Sequence, residues 1–99
     1  MRLEQLEYLL SIQKYGSMNM AAQNIHVSQQ AISHAIRALE EEYGVILLER
    51  IPRKPALTAA GLCVLQAAET IFDTISQMET QLKAFQPAES QTLYTIMIS

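Results

Sequence analysis

The chain has 99 residues, of which 49% are hydrophobic and 17% are charged, and its formal net charge is −3. This length excludes a multi-domain enzyme within these residues, the apolar content excludes a disordered tail, and one cysteine excludes an internal disulfide and a zinc finger. With three glycines and three prolines, and no apolar run long enough to cross a membrane, the composition favours a mainly α-helical, intracellular protein.

The negative charge is concentrated in the second part of the chain. Residues 1–57 contain six basic and six acidic residues, whereas residues 58–99 contain one basic and four acidic residues. No acidic residue occurs between Glu7 and Glu40. A surface formed by that span can therefore approach an anion without repulsion from its own carboxylates.

Two helices are predicted at the start of the chain. Leucine and isoleucine recur at helical spacing between residues 3 and 15, and Gly16 then provides a stop. Ser17 is a good N-cap for a short second helix that ends at Asn24. The tight connection at residues 25–27 leads into a third helix.

The third helix is predicted to begin after Ser28, its N-cap, and to end near Tyr43, with Gly44 as its stop. We expect its apolar face to be buried, and that face contains Ile32, Ile36, Leu39 and Tyr43. The opposite face is polar and free of acid, and it displays Gln29, Gln30, Ser33, His34 and Arg37.

A change in the residue pattern after Gly44 predicts two short strands. Residues 45–50 and 56–58 favour β-structure, and a segment bounded by Pro52 and Pro55 separates them. We interpret this unit as a β-wing with a stiff tip. The basic residues of the tip are Arg53 and Lys54.

A long helix is predicted from a cap at Thr58 to about Gln86, and we expect Gly61, so near its start, to cost little stability. A heptad seam along it predicts pairing with another helix, in either parallel or antiparallel orientation. The seam contains Val64, Ala68, Ile71, Ile75, Met78, Leu82 and Phe85. The apolar residues expected to hold the helix against the N-terminal helices are Leu62, Leu65 and Phe72.

These elements divide the chain into three parts. Residues 1–57 are predicted to form a winged helix-turn-helix and residues 58–86 a linker and dimerisation helix. Residues 87–99 are predicted to form a hinge followed by a β-rich segment from Leu93. Because a lone strand has no sheet to join, we expect this last part to be the first strand of a further domain.

The predicted helix-turn-helix indicates DNA as the partner. Its second helix fits the major groove, where Gln pairs a donor and an acceptor with adenine and where Ser and His meet several base edges. The N-terminal amides of that helix favour phosphate. The basic wing tip is placed to reach the DNA backbone or the adjacent minor groove.

The following motifs occur in order along the chain: Ala21-Ala22, His26-Val27-Ser28-Gln29, Ile32-Ser33, Ile36-Arg37, Leu39-Glu40, Gly44-Val45, Leu47-Leu48-Glu49-Arg50 and Leu57-Thr58-x-Ala60-Gly61. At this spacing they resemble the LysR-type transcriptional regulators over nearly the whole chain. The resemblance implies a winged helix-turn-helix that binds DNA and a linker helix that pairs with a second subunit. It also implies a separate domain, outside this chain, that senses a small molecule.

The resemblance also implies roles for individual residues. The implied base or groove contacts are Gln29, Gln30, Ser33 and His34, and the implied backbone or wing contacts are Arg37, Arg50, Arg53 and Thr58. Ser28 and Lys54 complete the predicted DNA-binding set. The chain departs from the family pattern at Gln30, where proline is usual, and at His34, where a basic residue is usual.

Plainer interpretations stand beside these roles. His34 taken alone is a solvated helix residue, and the resemblance favours a DNA contact. His26 in the turn is interpreted as a packing or capping residue, and Cys63 as buried at an interface without chemistry. The acidic run 40–42 is interpreted as a solvated helix end, with a structural hydrogen bond left open for Glu40.

We therefore expect a sequence-specific, DNA-binding transcriptional regulator of the LysR type that acts as a homodimer or higher homo-oligomer in a bacterial cytoplasm. The alternative is a winged-helix protein-interaction and dimerisation module without DNA binding. No enzymatic motif is recognised. We expect no cofactor or metal in this segment, a small-molecule effector for the full-length protein, and no membrane partner.

Overall fold

The computed structural model describes residues 1–49 and 56–87. The helices are α1 (Leu3–Tyr15), α2 (Met18–Ile25), α3 (Gln29–Tyr43) and α4 (Ala59–Leu82), and a 3-10 turn at Lys83–Phe85 extends α4. The strands are β1 (Leu48–Glu49) and β2 (Ala56–Leu57). The predicted mainly helical fold and the bounds of the first three helices are confirmed to within one residue. The strands are shorter than predicted, and residues 88–99 lie outside the described ranges.

Local signals in the sequence set the helix ends. The hydroxyls of Ser17 and Ser28 each accept a hydrogen bond of 3.0 Å from an amide in the first turn of α2 and α3, respectively. Gly44 adopts a left-handed conformation (φ 66°) and ends α3. His26, at φ 60°, ends α2 in the same way, and its N–H donates to the carbonyl of Ala22. The capping interpretation of His26 is confirmed, and it acts through the backbone.

Two clusters of buried side chains hold the helices together. In the first, residues of α1, α2 and α3 pack with Leu48 of the wing and Leu65 of α4. In the second, Leu6, Leu39 and Leu47 surround Ala68 of α4. Because α4 contributes to both clusters, its first half is part of the N-terminal domain.

Tyr43 differs from its prediction, because 54% of its surface is exposed. The preceding turn of α3 places Leu39 fully inside the core. Tyr43 is the last residue of α3 and lies one turn beyond Leu39. Tyr43 therefore lines an open apolar groove together with residues of α1 and α4.

The inner face of α4 also differs in part from its prediction. Leu65 is buried and Phe72 packs against the second cluster, as predicted. Leu62 is 47% exposed, so its predicted packing role is wrong. Gly61, Leu65 and Ala68 define the inward direction, and Leu62 lies about a quarter turn away from it, given 3.6 residues per turn.

Gly61 permits a close approach of α4 to the wing. A Cβ atom at this position would overlap the carbonyl oxygen of Leu47, which is backbone and has little freedom to move, and would press on the side chain of Leu57. The same carbonyl accepts a hydrogen bond of 3.0 Å from the N–H of Thr58. The expectation that Gly61 costs little overlooks this requirement for a residue without a side chain.

We expect Gly61→Ala to destabilise the protein by about 1 to 3 kcal/mol, because the added methyl group overpacks the site against Leu47. Helix propensity alone predicts the opposite sign, a gain of up to about 1 kcal/mol. Urea unfolding monitored by circular dichroism measures the difference. Gln66→Ala, on the exposed face of the same helix, is the control, and a raised midpoint for Gly61→Ala would contradict the close-approach argument.

Candidate nucleic-acid interface

The corner between α2 and α3 is built on small residues. Ala21 and Ala22 are buried in the first cluster, which allows the two helices to lie close together. The N–H of Val27 donates to the carbonyl of Ala22 over 3.2 Å. Because Ser28 caps α3 directly after this bond, the direction of α3 relative to α2 is fixed at the corner.

The polar face of α3 is assembled as predicted. Ile32, Ile36 and Leu39 are fully buried on the opposite side, so the helix cannot rotate about its axis without exposing them. The residues left exposed on the polar face are Gln29, Gln30, His34 and Arg37, and Ser33 is half-buried. The hydroxyl of Ser28 is used as the helix cap.

His34 lies beside a shallow groove between α1 and α3 that Tyr8 and Gln5 also line. Glu4 reaches the same groove from α1 and forms an ion pair of 3.0 Å with Arg2. The polar face of α3 is free of acidic residues, but the whole surface around His34 is not. The negative charge of Glu4 is balanced by the guanidinium of Arg2 beside it.

The wing is anchored by its two strands. Leu48 pairs with Leu57 and Glu49 pairs with Ala56 in an antiparallel arrangement. The predicted contacts Arg50, Arg53 and Lys54 lie outside the described residues, in the segment that joins these strands.

Thr58 has a structural role in the described chain. Its hydroxyl donates to the carbonyl of Ile46 and accepts a hydrogen bond of 3.0 Å from the N–H of Gly61. The predicted cap of the long helix is confirmed. The side chain is half-buried and its hydroxyl is engaged within the protein, so its predicted contact with DNA stays a prediction.

Glu40 is a functional candidate that the pattern of the sequence left open. Its side chain is buried, at 7% exposure, and one carboxylate oxygen accepts hydrogen bonds from the N–H groups of Leu47 (2.9 Å) and Leu48 (3.2 Å). The solvated interpretation of the run 40–42 is thus wrong for its first residue. The available signal was the position of Glu40 beside Leu39 on the inner face, one turn before the glycine that ends α3.

The heptad seam divides into two parts. Ala68 is fully buried against its own chain, in contact with the cluster of Leu6, Leu39 and Leu47, so its prediction as a dimer contact is wrong. Val64 and Ile71 are half-buried against the same domain, and Ile75 is half-buried farther along. The strongly exposed members of the seam are Met78, Leu82 and Phe85.

Cys63 is exposed in the single chain, and its predicted burial at an interface stays a prediction.

Comparison with known proteins identifies the family. Residues 3–62, from α1 to the start of α4, match the bacterial regulatory helix-turn-helix proteins of the lysR family. The chain belongs to this family. It is a family of transcriptional regulators and not a class of enzymes.

Several members of the lysR family are similar to this chain. A hydrogen peroxide-inducible genes activator of Pectobacterium carotovorum subsp. carotovorum is 39% identical over 79 residues, which cover 80% of this chain and 26% of that protein. The chain thus spans about a quarter of the length of the curated relatives that it matches.

Two solved structures of lysR-family DNA-binding domains in complex with DNA have the same fold. The CbnR_DBD–DNA complex superposes with a TM-score of 0.78 at 38% identity and covers 85% of this chain and 97% of that one. The BenM_DBD/catB site 1 DNA complex gives a TM-score of 0.80 at 32% identity and covers 86% of this chain and 96% of that one. The winged helix-turn-helix prediction is confirmed.

The structure separates the stability roles of two neighbouring residues at the start of α3, the N-cap Ser28 and the first helical residue Gln29. We expect Ser28→Ala to lower the free energy of unfolding by about 1 kcal/mol, because it removes the hydroxyl that caps the helix. We expect Gln29→Ala, with its side chain in solvent, to change it by less than about 0.5 kcal/mol. Urea denaturation of both variants measures this difference, and equal effects would show that the cap is dispensable.

Proposed function

We propose that this chain is the DNA-binding and dimerisation part of a LysR-type transcriptional regulator and that it binds double-stranded DNA sequence-specifically. The observation that carries the proposal is the polar face of α3, which is held outward by complete burial of the opposite face. The DNA complexes of similar domains support the same assignment. In this function α3 is the recognition helix.

The chemistry of the recognition helix fits the major groove. The amide of Gln29 or Gln30 offers a donor and an acceptor to adenine, and the guanidinium of Arg37 is suited to phosphate or guanine. Ser33 and His34 add short polar contacts near the middle of the helix. The first turn of α3 contains no acidic residue, so the partial positive charge of its N-terminus favours DNA.

The wing supplies the second proposed contact. β1 and β2 are paired, and the segment between them contains Arg50, Arg53 and Lys54. Three cations in a six-residue segment suit the phosphate backbone or a narrow minor groove.

A second copy of the chain is the proposed protein partner. Met78 and Leu82 are each 48% exposed and Phe85 is 83% exposed along one side of α4, and a connected apolar stripe of this kind is stabilised by burial. A homodimer, or a higher homo-oligomer built from it, also matches DNA sites with two half-sites.

The remaining parts of the proposal rest on the family resemblance. We propose that the regulator acts in the cytoplasm, that this segment binds DNA without a cofactor, and that a small-molecule effector is recognised elsewhere in the full-length protein. Within the ranges described, no helix has both the length and the apolar character needed to cross a bilayer.

The first test compares the recognition helix with the wing. A preferred DNA sequence is selected from a random library with the full chain, and binding to it and to a scrambled duplex is titrated over salt. We expect Gln29→Ala and His34→Ala to weaken the preferred site by about 1 to 3 kcal/mol with little effect on the scrambled duplex. Arg53→Ala is expected to weaken binding to both duplexes. It should also reduce the salt slope, which is the slope of log affinity against log salt concentration, by about one.

Two results would overturn the assignment. No DNA binding by the wild type at low salt would favour the protein-interaction module, an alternative motivated by the balanced charge of residues 1–57. Equal losses on the preferred and scrambled duplexes for the α3 variants would remove base readout from Gln29 and His34.

The second test concerns dimerisation. We expect Met78→Lys combined with Leu82→Lys to shift the chain toward monomer by at least tenfold in dissociation constant, because each charge would be placed in a buried apolar contact. Thr80→Lys, on the opposite side of α4, is the matched control. Sedimentation equilibrium over a range of concentrations measures the shift, and a wild type that stays monomeric at high micromolar concentration would refute the proposed dimer.

A further inference from the structure

One residue of α3 binds both ends of the connection that leads into the wing. The backbone carbonyl of Glu40 accepts hydrogen bonds from the N–H groups of Gly44 and Val45. Its carboxylate accepts from the N–H groups of Leu47 and Leu48. Glu40 therefore binds both the end of α3 and the start of β1.

The other side of this connection is bonded to the start of α4. The carbonyl of Ile46 accepts from the hydroxyl of Thr58, and the carbonyl of Leu47 accepts from the N–H of Thr58. Residues 46–48 thus receive hydrogen bonds from Thr58 and donate hydrogen bonds to Glu40. The position of β1 and of the two residues before it is set between these two anchors.

The sheet itself is too small to set that position. β1 and β2 contribute two residues each, and an isolated two-stranded hairpin is at best marginally stable in water. A carboxylate buried to 7% exposure requires hydrogen-bond partners to offset its desolvation. Two consecutive N–H groups at the start of β1 donate to one buried oxygen of Glu40, so Glu40 anchors this short sheet to α3.

From this geometry we propose that Glu40 is a positioning residue for DNA binding: it holds β1 and β2, the base of the wing, at a fixed place relative to the recognition helix, so that helix and wing engage one DNA duplex. The inference rests on the proposed DNA-binding function. Glu40 itself faces the protein interior and acts without touching DNA. Its contribution to affinity passes through the cations of the wing.

The test crosses Glu40 variants with wing and helix variants. Glu40→Gln and Glu40→Ala both remove the negative charge, but only Glu40→Ala removes the oxygen that accepts from Leu47 and Leu48. Each is combined with the wing pair Arg53→Ala/Lys54→Ala and, separately, with Gln29→Ala. Affinity for the selected duplex and its dependence on salt are measured for every combination by fluorescence anisotropy.

We expect Glu40→Ala to reduce the salt slope toward that of the wing variant, because a displaced wing loses its phosphate contacts. In the Glu40→Ala background, the wing substitutions should reduce affinity by less than half the fold-change that they cause in the wild type. Gln29→Ala should reduce affinity by the same fold-change in both backgrounds. Glu40→Gln is expected to keep the wild-type slope.

Two controls separate positioning from loss of stability. Leu9→Ala removes a fully buried side chain in the first cluster and should lower the melting temperature without changing the salt slope. Hydrogen exchange in the free protein should show faster exchange at Leu47 and Leu48 in Glu40→Ala than in Glu40→Gln. Should Glu40→Ala fail to fold, Glu40→Asp, whose carboxylate is withdrawn by one methylene group, takes its place in the same comparison.

The inference is overturned if the wing substitutions cause their full fold-change in the Glu40→Ala background, or if Leu9→Ala changes the slope equally. It is also overturned if Glu40→Gln loses the wing contribution as completely as Glu40→Ala does, because charge and not placement would then be responsible. Each of these results leaves DNA binding by the wild type intact. Absence of wild-type binding instead refutes the proposed function.

Discussion

The approach of α4 to the backbone at Leu47 is the contact on which the rest of the arrangement depends. Because residue 61 has no side chain, the first turn of α4 reaches this carbonyl. The next two turns then bring Leu65 into one core cluster and Ala68 into the other. α4 thereby supports α1 and the start of the wing, and it reaches α3 through the cluster that contains Leu39 and Ala68.

Much of this architecture is encoded locally and was therefore predictable from the sequence. A hydroxyl at Ser28 and a glycine at residue 44 bound α3 through bonds within one turn of the helix. The apolar spacing of Ile32, Ile36 and Leu39 then determines which face is buried. The polar face of α3 could be found in advance because it is the complement of that apolar face.

The remaining features depend on contacts between residues distant in sequence. A heptad spacing shows that a helix face is apolar, but it does not distinguish a neighbour in the same chain from a second chain, and so Ala68 was assigned to the wrong partner. Tyr43 continues an inward spacing at a point where the core ends. Gly61 of α4 and Glu40 of α3 both contact the backbone of Leu47, and neither contact produces a periodic pattern in the sequence.

The left-handed backbone at His26 has a consequence for how this protein tolerates sequence change. The angle between α2 and α3 is formed at a non-glycine residue with φ 60°, and its side chain points away from the core into solvent. Glycine or asparagine adopts this conformation readily, whereas valine or isoleucine would strain it by about 1 to 2 kcal/mol. The corner therefore restricts the shape of the side chain at this position, and branching at Cβ is the feature that it tolerates least.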